Sequence, residues 1–134
     1  MPEKAIELNY EQLTAEQLCK IGMIAFQMQI VRDKTKVKFG KRFKGLRITA
    51  GLRQFAWEEM RGRSGNSQHV QGWAVDVQPI CDESDYCEIF DWIFEEFKDW
   101  HGGFAKAEYN LTSNPKRYGF IHFDLRGFNV RWTY

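Results

Sequence analysis

Between Ile121 and Arg126, apolar and polar residues alternate without a break: Ile121, Phe123 and Leu125 against His122, Asp124 and Arg126. Successive side chains of a strand point to opposite faces, so the segment is read as a strand with an apolar face and a His-Asp-Arg row behind it. Such a strand constrains everything around it, because its apolar face must be covered. A cover is at hand in Ile89, Phe90, Ile93, Phe94, Phe97 and Trp100, which recur at helical spacing. A helix on one side and a polar row on the other is the geometry either of a strand crossing the floor of an active site or of a strand with a solvated polar face and an incidental histidine.

The remaining segments supply scaffold. Thr14 with Gln17 three residues on is a capping box opening a helix, continued by the stripe Leu18, Ile21, Ile24, Ala25, Met28 and Val31. The basic run from Arg32 to Lys44 has no helical period and is expected to be a solvated loop. Leu46, Ile48 and Ala50 alternate with Arg47 and Thr49, a short strand closed by Gly51. Gln54 to Met60 suits a short helix, 61–66 a turn-rich loop, and Trp73 to Val77 a strand ending at Pro79. Asp82 to Asp85 form an acidic helix start, and His101-Gly102-Gly103 a helix stop with His101 as a local cap. Phe104 to Arg117 is expected to be a long loop with at most one edge strand.

At 134 residues, 43% of them apolar and 16% aromatic, the chain is expected to form one folded domain. Residues 1–43 would be a helical lead-in and basic loop, and 44–134 the core. The fold class expected is α+β: a small, mainly antiparallel sheet with helices packed on one face and the polar row on the other. A net charge of +1 excludes nucleic-acid binding driven by a basic field. No apolar run is long enough for a membrane span, and the charge from Glu3 and Lys4 onward leads to the expectation that there is no Sec-type signal. Cys19, Cys81 and Cys87 are an odd set without C-x-x-C spacing, so they read as reduced thiols of a protein made in the cytoplasm.

A second polar constellation lies upstream, in Ser67-Gln-His-Val-Gln-Gly-Trp-Ala-Val-Asp76. Zinc ligands of N and O type sit about 2.0–2.2 Å from one metal. On a helix His69 and Asp76 would lie roughly 10 Å apart, and on a strand more than about 20 Å. To share a metal the chain must turn back between them, and Gly72 most easily permits the turn.

Together the two stretches resemble the zinc D-Ala-D-Ala carboxypeptidase family of metallopeptidases, part of the wider group that includes lysostaphin-type peptidases and the hedgehog signalling domain. Ser67, His69, Gly72, Ala74 and Asp76 fill every fixed position of its S-x-H-x-x-G-x-A-x-D motif. Ile48 to Arg53 resembles the upstream strand and arginine, with Leu52 as a mild departure. Tyr118 to Gly127 resembles the Phe-x-His-x-Asp-x-Arg-Gly ending of a branch found in phage lysins. The likeness runs from about Lys44 to Trp132.

The resemblance implies one zinc ion per chain, bound by His69, Asp76 and His122 with a fourth position open, as catalytic rather than structural sites have it. It implies Arg53 as substrate anchor or oxyanion partner and Ser67 beside it on the substrate side. Relatives carry a general base two or three residues before the last ligand; here Gly119 and Phe120 stand there. Asp124 is then either the base or an orienter of the ligands, with Glu108 and His101 as further options for the base. The activity implied is hydrolysis of a peptide bond in peptidoglycan stem peptides, of carboxypeptidase (D-Ala-D-Ala) or endopeptidase (L-Ala-D-Glu) type. The protein would be a monomer acting on the wall after release or as part of a phage particle. The rival is a non-enzymatic zinc-binding module on the same fold.

Overall fold

The computed structural model describes residues 14–51 and 73–134. Helix α1 (Ala15–Phe39) opens on the expected capping box: Gln17 N–H donates to the Thr14 hydroxyl, and the Gln17 side chain accepts from Thr14 N–H. The helix does not stop at Val31. The basic run expected to be a loop continues it to Phe39, followed by a 3-10 turn (Gly40–Arg42). The buried positions Ile24, Met28, Val31, Thr35 and Phe39 explain why, since they keep the three- and four-residue step. Thr35 answers its own burial by donating its hydroxyl to the Val31 carbonyl at 2.7 Å.

Strand β1 (Gly45–Ala50) pairs antiparallel with β2 (Ala74–Ile80), and β2 continues through Pro79 rather than ending there. Helix α2 (Glu83–Glu96) follows, with Asp82 at its N-cap and Glu83 and Asp85 in its first turn. Arg42 pairs with Asp85 and Glu88, and Lys44 with Asp82, so the basic residues after α1 meet the acidic start of α2. His101 does not cap α2. The helix ends at Glu96, and His101 is an exposed bend residue beyond it.

The segment expected to be a loop begins instead with strand β3 (Gly103–Ala107), and it is not an edge. It lies between β4 (Phe120–Asp124) and β5 (Val130–Thr133) in a five-stranded sheet of order β1-β2-β4-β3-β5. The pairs β1–β2, β2–β4 and β4–β3 are antiparallel, and β3–β5 is parallel. The architecture is thus α+β with a mixed, mainly antiparallel sheet and two helices.

The core lies on one face of that sheet. Val75 and Val77 of β2, Ile121 and Phe123 of β4 and Phe104 of β3 pack with Ile89, Phe90 and Ile93 of α2 and with Ile24, Met28 and Val31 of α1. Each fully buried side chain of this size stabilises the fold by about 1.5–3 kcal/mol. Trp100 and Phe97 close the end of the layer against Phe123, at ring centroids of 4.9 and 6.3 Å. Alternation along β2 and β4 then turns Asp76, His122 and Asp124 to the opposite face.

Candidate metal centre

One rung crosses all five strands. Ala50, Asp76, His122, Ala105 and Trp132 are successive Cα partners from β1 through β2, β4 and β3 to β5. Asp76 and His122 are therefore direct cross-strand neighbours, although 46 residues separate them in sequence. Asp76 Oδ1 lies 2.8 Å from His122 Nδ1, and the other ring nitrogen, Nε2, lies 2.8 Å from Asp124 Oδ2. All three side chains are buried.

Asp124 is held from every side. Its Oδ1 accepts from Gly103 N–H at 2.8 Å, from Arg126 N–H at 3.1 Å and from Arg126 Nε at 2.9 Å. Its Oδ2 accepts from Arg126 Nη2 at 2.7 Å and faces His122. Burial alone would raise its pKa, but the hydrogen bonds from His122, Arg126 and Gly103 outweigh it and hold the carboxyl well below the usual range. On His122, burial favours the neutral ring, and hydrogen bonds to Asp124 and Asp76 override it to raise the pKa.

Small residues on β3 make the room. A Cβ at Gly103 would fall 2.1 Å from Asp124 Oδ2, and one at Gly102 would fall 2.2 Å from the Asp124 carbonyl oxygen. Gly102 also has φ +128°, a conformation side chains rarely adopt. These glycines, expected only to stop a helix, seat the Asp124 carboxylate and its backbone. Trp100 Nε1–H fixes the same carbonyl at 2.9 Å.

The next β3 residue on this face is Ala105, whose methyl is low enough for Trp132 to lean across. Strands two apart are roughly 10 Å from each other, yet the Trp132 and His122 rings approach to 5.0 Å. The Arg126 guanidinium lies 5.1 Å from the Trp132 ring. Trp132, which residue patterning did not single out, is thus a wall of the site. Its only signal was the alternation of Val130, Trp132 and Tyr134 with Arg131 and Thr133.

Of the expected ligands, Asp76 and His122 are brought together; His69 lies outside the described residues, as do Arg53, Ser67 and the turn at Gly72. The expected 54–60 helix and 61–66 loop lie outside them too. Among the described residues no group of three His, Cys, Asp or Glu side chains is arranged to hold a metal. Glu108 is exposed and paired with Lys106 at 3.2 Å. The three cysteines are unpaired, and no helix among the described residues is long and apolar enough to cross a membrane.

The donor chemistry at Asp76 and His122 fits zinc. Two tetrahedral ligands about 2.05 Å from one ion stand roughly 3.3 Å apart, so the 2.8 Å separation need open by only a few tenths of an ångström. With Nδ1 turned toward a metal, Nε2 must carry the ring proton, and Asp124 is placed to accept it. No family model, curated protein or solved structure matches the chain.

Proposed function

We propose that this chain is a zinc peptidase that cleaves a peptide bond in peptidoglycan stem peptides, on a fold like that of the D-Ala-D-Ala carboxypeptidase and hedgehog group. The observation that carries the proposal is the buried Asp76–His122 pair, set side by side on adjacent strands with Asp124 behind the imidazole. His69 would complete the ligand set. A bound zinc ion supplies Lewis acidity, which polarises the scissile carbonyl and lowers the pKa of water.

The protein's own groups do the positioning. Asp124 holds the proton on His122 Nε2 and so fixes which nitrogen faces the metal, while Arg126 and Gly103 N–H keep that carboxylate from turning. Trp132 covers one side of the imidazole and limits access of water. Arg53 and Ser67 are assigned to the substrate, the arginine gripping a carboxylate or the developing oxyanion.

Asp124 is better suited to orient than to act as general base, because it is fully buried and both its oxygens are engaged. Asp124→Asn should therefore weaken zinc affinity about 10–100-fold and regain much of its turnover in excess zinc. A loss of turnover on the order of 10²–10⁴ with zinc still tightly bound would make it the base instead.

That engagement of Asp124, with Gly119 and Phe120 unable to transfer protons, also favours a second reading: a zinc-binding recognition module without activity. Purified cell walls separate the two. The peptidase should clear them, stop on addition of chelator and resume with zinc, and mass spectrometry of the released peptides should show a single type of cut. That product also separates carboxypeptidase from endopeptidase action. Walls bound but left intact would establish the module. On the peptidase reading the protein works as a monomer, made in the cytoplasm and reaching the wall on release or within a phage particle.

A further inference from the structure

A cavity of about 220 Å³ lies at the end of the sheet where β2 turns into α2, between Arg47 and Gln78 of the two strands and Glu83 and Tyr86 of the helix. Its walls include Arg47, Gln78, Glu83, Tyr86 and Tyr118. Arg47 and Gln78 are Cα partners on β1 and β2. Gln78 is two residues beyond Asp76 on the same strand, hence on the same face and roughly 6.6 Å along it. The cavity is smaller than pockets that enclose a whole ligand, about 300–1,000 Å³, and suits one side group of a longer one.

Most of its polar groups are already engaged. The Glu83 carboxylate is held by Lys116 Nζ at 2.9 and 3.0 Å and by the Tyr118 hydroxyl at 3.2 Å. Tyr86 donates its hydroxyl to the Tyr118 carbonyl at 2.6 Å, and the Gln78 amide donates to the Gly119 carbonyl at 2.6 Å. Arg47 differs. Among the described residues its guanidinium makes no ion pair. Among the described residues the cavity therefore carries one positive charge without an ion-pair partner, on the side chain whose planar fork best matches a carboxylate.

We propose that this cavity is a carboxylate subsite of the peptide groove, in which Arg47 receives an acidic group of the substrate about two residues from the bond that is cleaved. The spacing follows from the sheet: an extended peptide crossing this face advances roughly 3.3 Å per residue, so two residues span the step from Asp76 to Gln78. The inference rests on the peptidase reading of the Asp76–His122 site. Arg47 is an exposed residue outside the core, so its replacement leaves the fold and the metal ligands in place.

The test uses a cell-wall stem peptide with free side carboxylates and the same peptide with those groups converted to carboxamides. The zinc-loaded protein should cleave the carboxylate form with a kcat/KM at least about tenfold higher, mostly through KM. Arg47→Gln should erase that preference, bringing kcat/KM for the carboxylate form down to that of the carboxamide form, and Arg47→Lys should keep part of it. Equal losses on both peptides, or no loss on either, would overturn the subsite. Binding of the two peptides to metal-free protein, followed by backbone amide shifts at β1 and β2, gives a second readout. If the wild type cleaves neither peptide, the peptidase reading fails. The subsite then stands or falls on whether Arg47→Gln abolishes preferential binding of the carboxylate form.

Discussion

On the proposed peptidase reading, replacing His122 with alanine is expected to remove metal and wall-clearing activity together, the residual rate falling to that of the chelated wild-type protein. His122 is the only described side chain that touches both Asp76 and Asp124. Its loss deletes a ligand and leaves two buried carboxylates facing the emptied space. Breaking a buried charged pair in this way costs about 3–5 kcal/mol, so the denaturation midpoint should fall sharply as well. Metal analysis of the purified variant, with circular dichroism to show that it is folded, is the measurement. A folded His122→Ala protein with full zinc occupancy would remove His122 from the ligand set.

Gly103→Ala is expected to have the second largest effect, although it adds a single methyl group. That methyl would stand 2.1 Å from Asp124 Oδ2 and 2.6 Å from Oδ1, well inside contact distance. The obstacle is not the free end of a flexible side chain. The carboxylate is pinned by Arg126, by His122 and by the Gly103 N–H itself. Either the carboxylate swings away and releases His122, or β3 shifts from β4. Overpacking at a site that cannot yield costs about 3 kcal/mol, read from urea denaturation, and zinc affinity should fall with it. Wild-type stability and affinity in Gly103→Ala would mean that Asp124 is not held as described.

The parts of this arrangement that were legible in the sequence are those written in a single local period. The alternation of Ile121 to Arg126 located β4 and its two faces, the stripe from Ile89 to Trp100 located α2 and its end layer, and Thr14 with Gln17 marked the start of α1 to the residue. Where two signals overlapped, the louder one misled. Lysines and arginines at positions 32, 34, 36 and 38 masked Thr35 and Phe39, which carry the buried stripe of α1 to its end.

Strand β3 was hidden for a different reason. Gly103, Ala105 and Ala107 alternate correctly with Phe104 and Lys106, but small residues have little hydropathy to register. Smallness at Gly103 and Ala105 is what gives Asp124 and Trp132 their room, and it becomes visible only once those two side chains are placed. Likewise, Asp124 could be placed on the face of His122 from the strand period alone. That its oxygens are consumed by Arg126 and Gly103 depends on a neighbour 21 residues away.

The rung from Ala50 to Trp132 also bears on how the protein folds. Its successive members are far apart in sequence, so each pairing along it closes a long loop, and loop closure must be met before the contact returns any stabilisation. The candidate centre therefore cannot assemble in one corner of a half-folded chain; Asp76, His122, Asp124, Gly103 and Trp132 meet only when β2, β4, β3 and β5 have found their registers. A zinc ion captured there would select the completed sheet over every partly paired alternative, and mass action would pass its binding energy to the domain as a whole. Such a centre would proofread its own fold: chains whose registers have slipped by one residue would present Val75 or Val77 in place of Asp76 beside His122 and lack one of the proposed ligands.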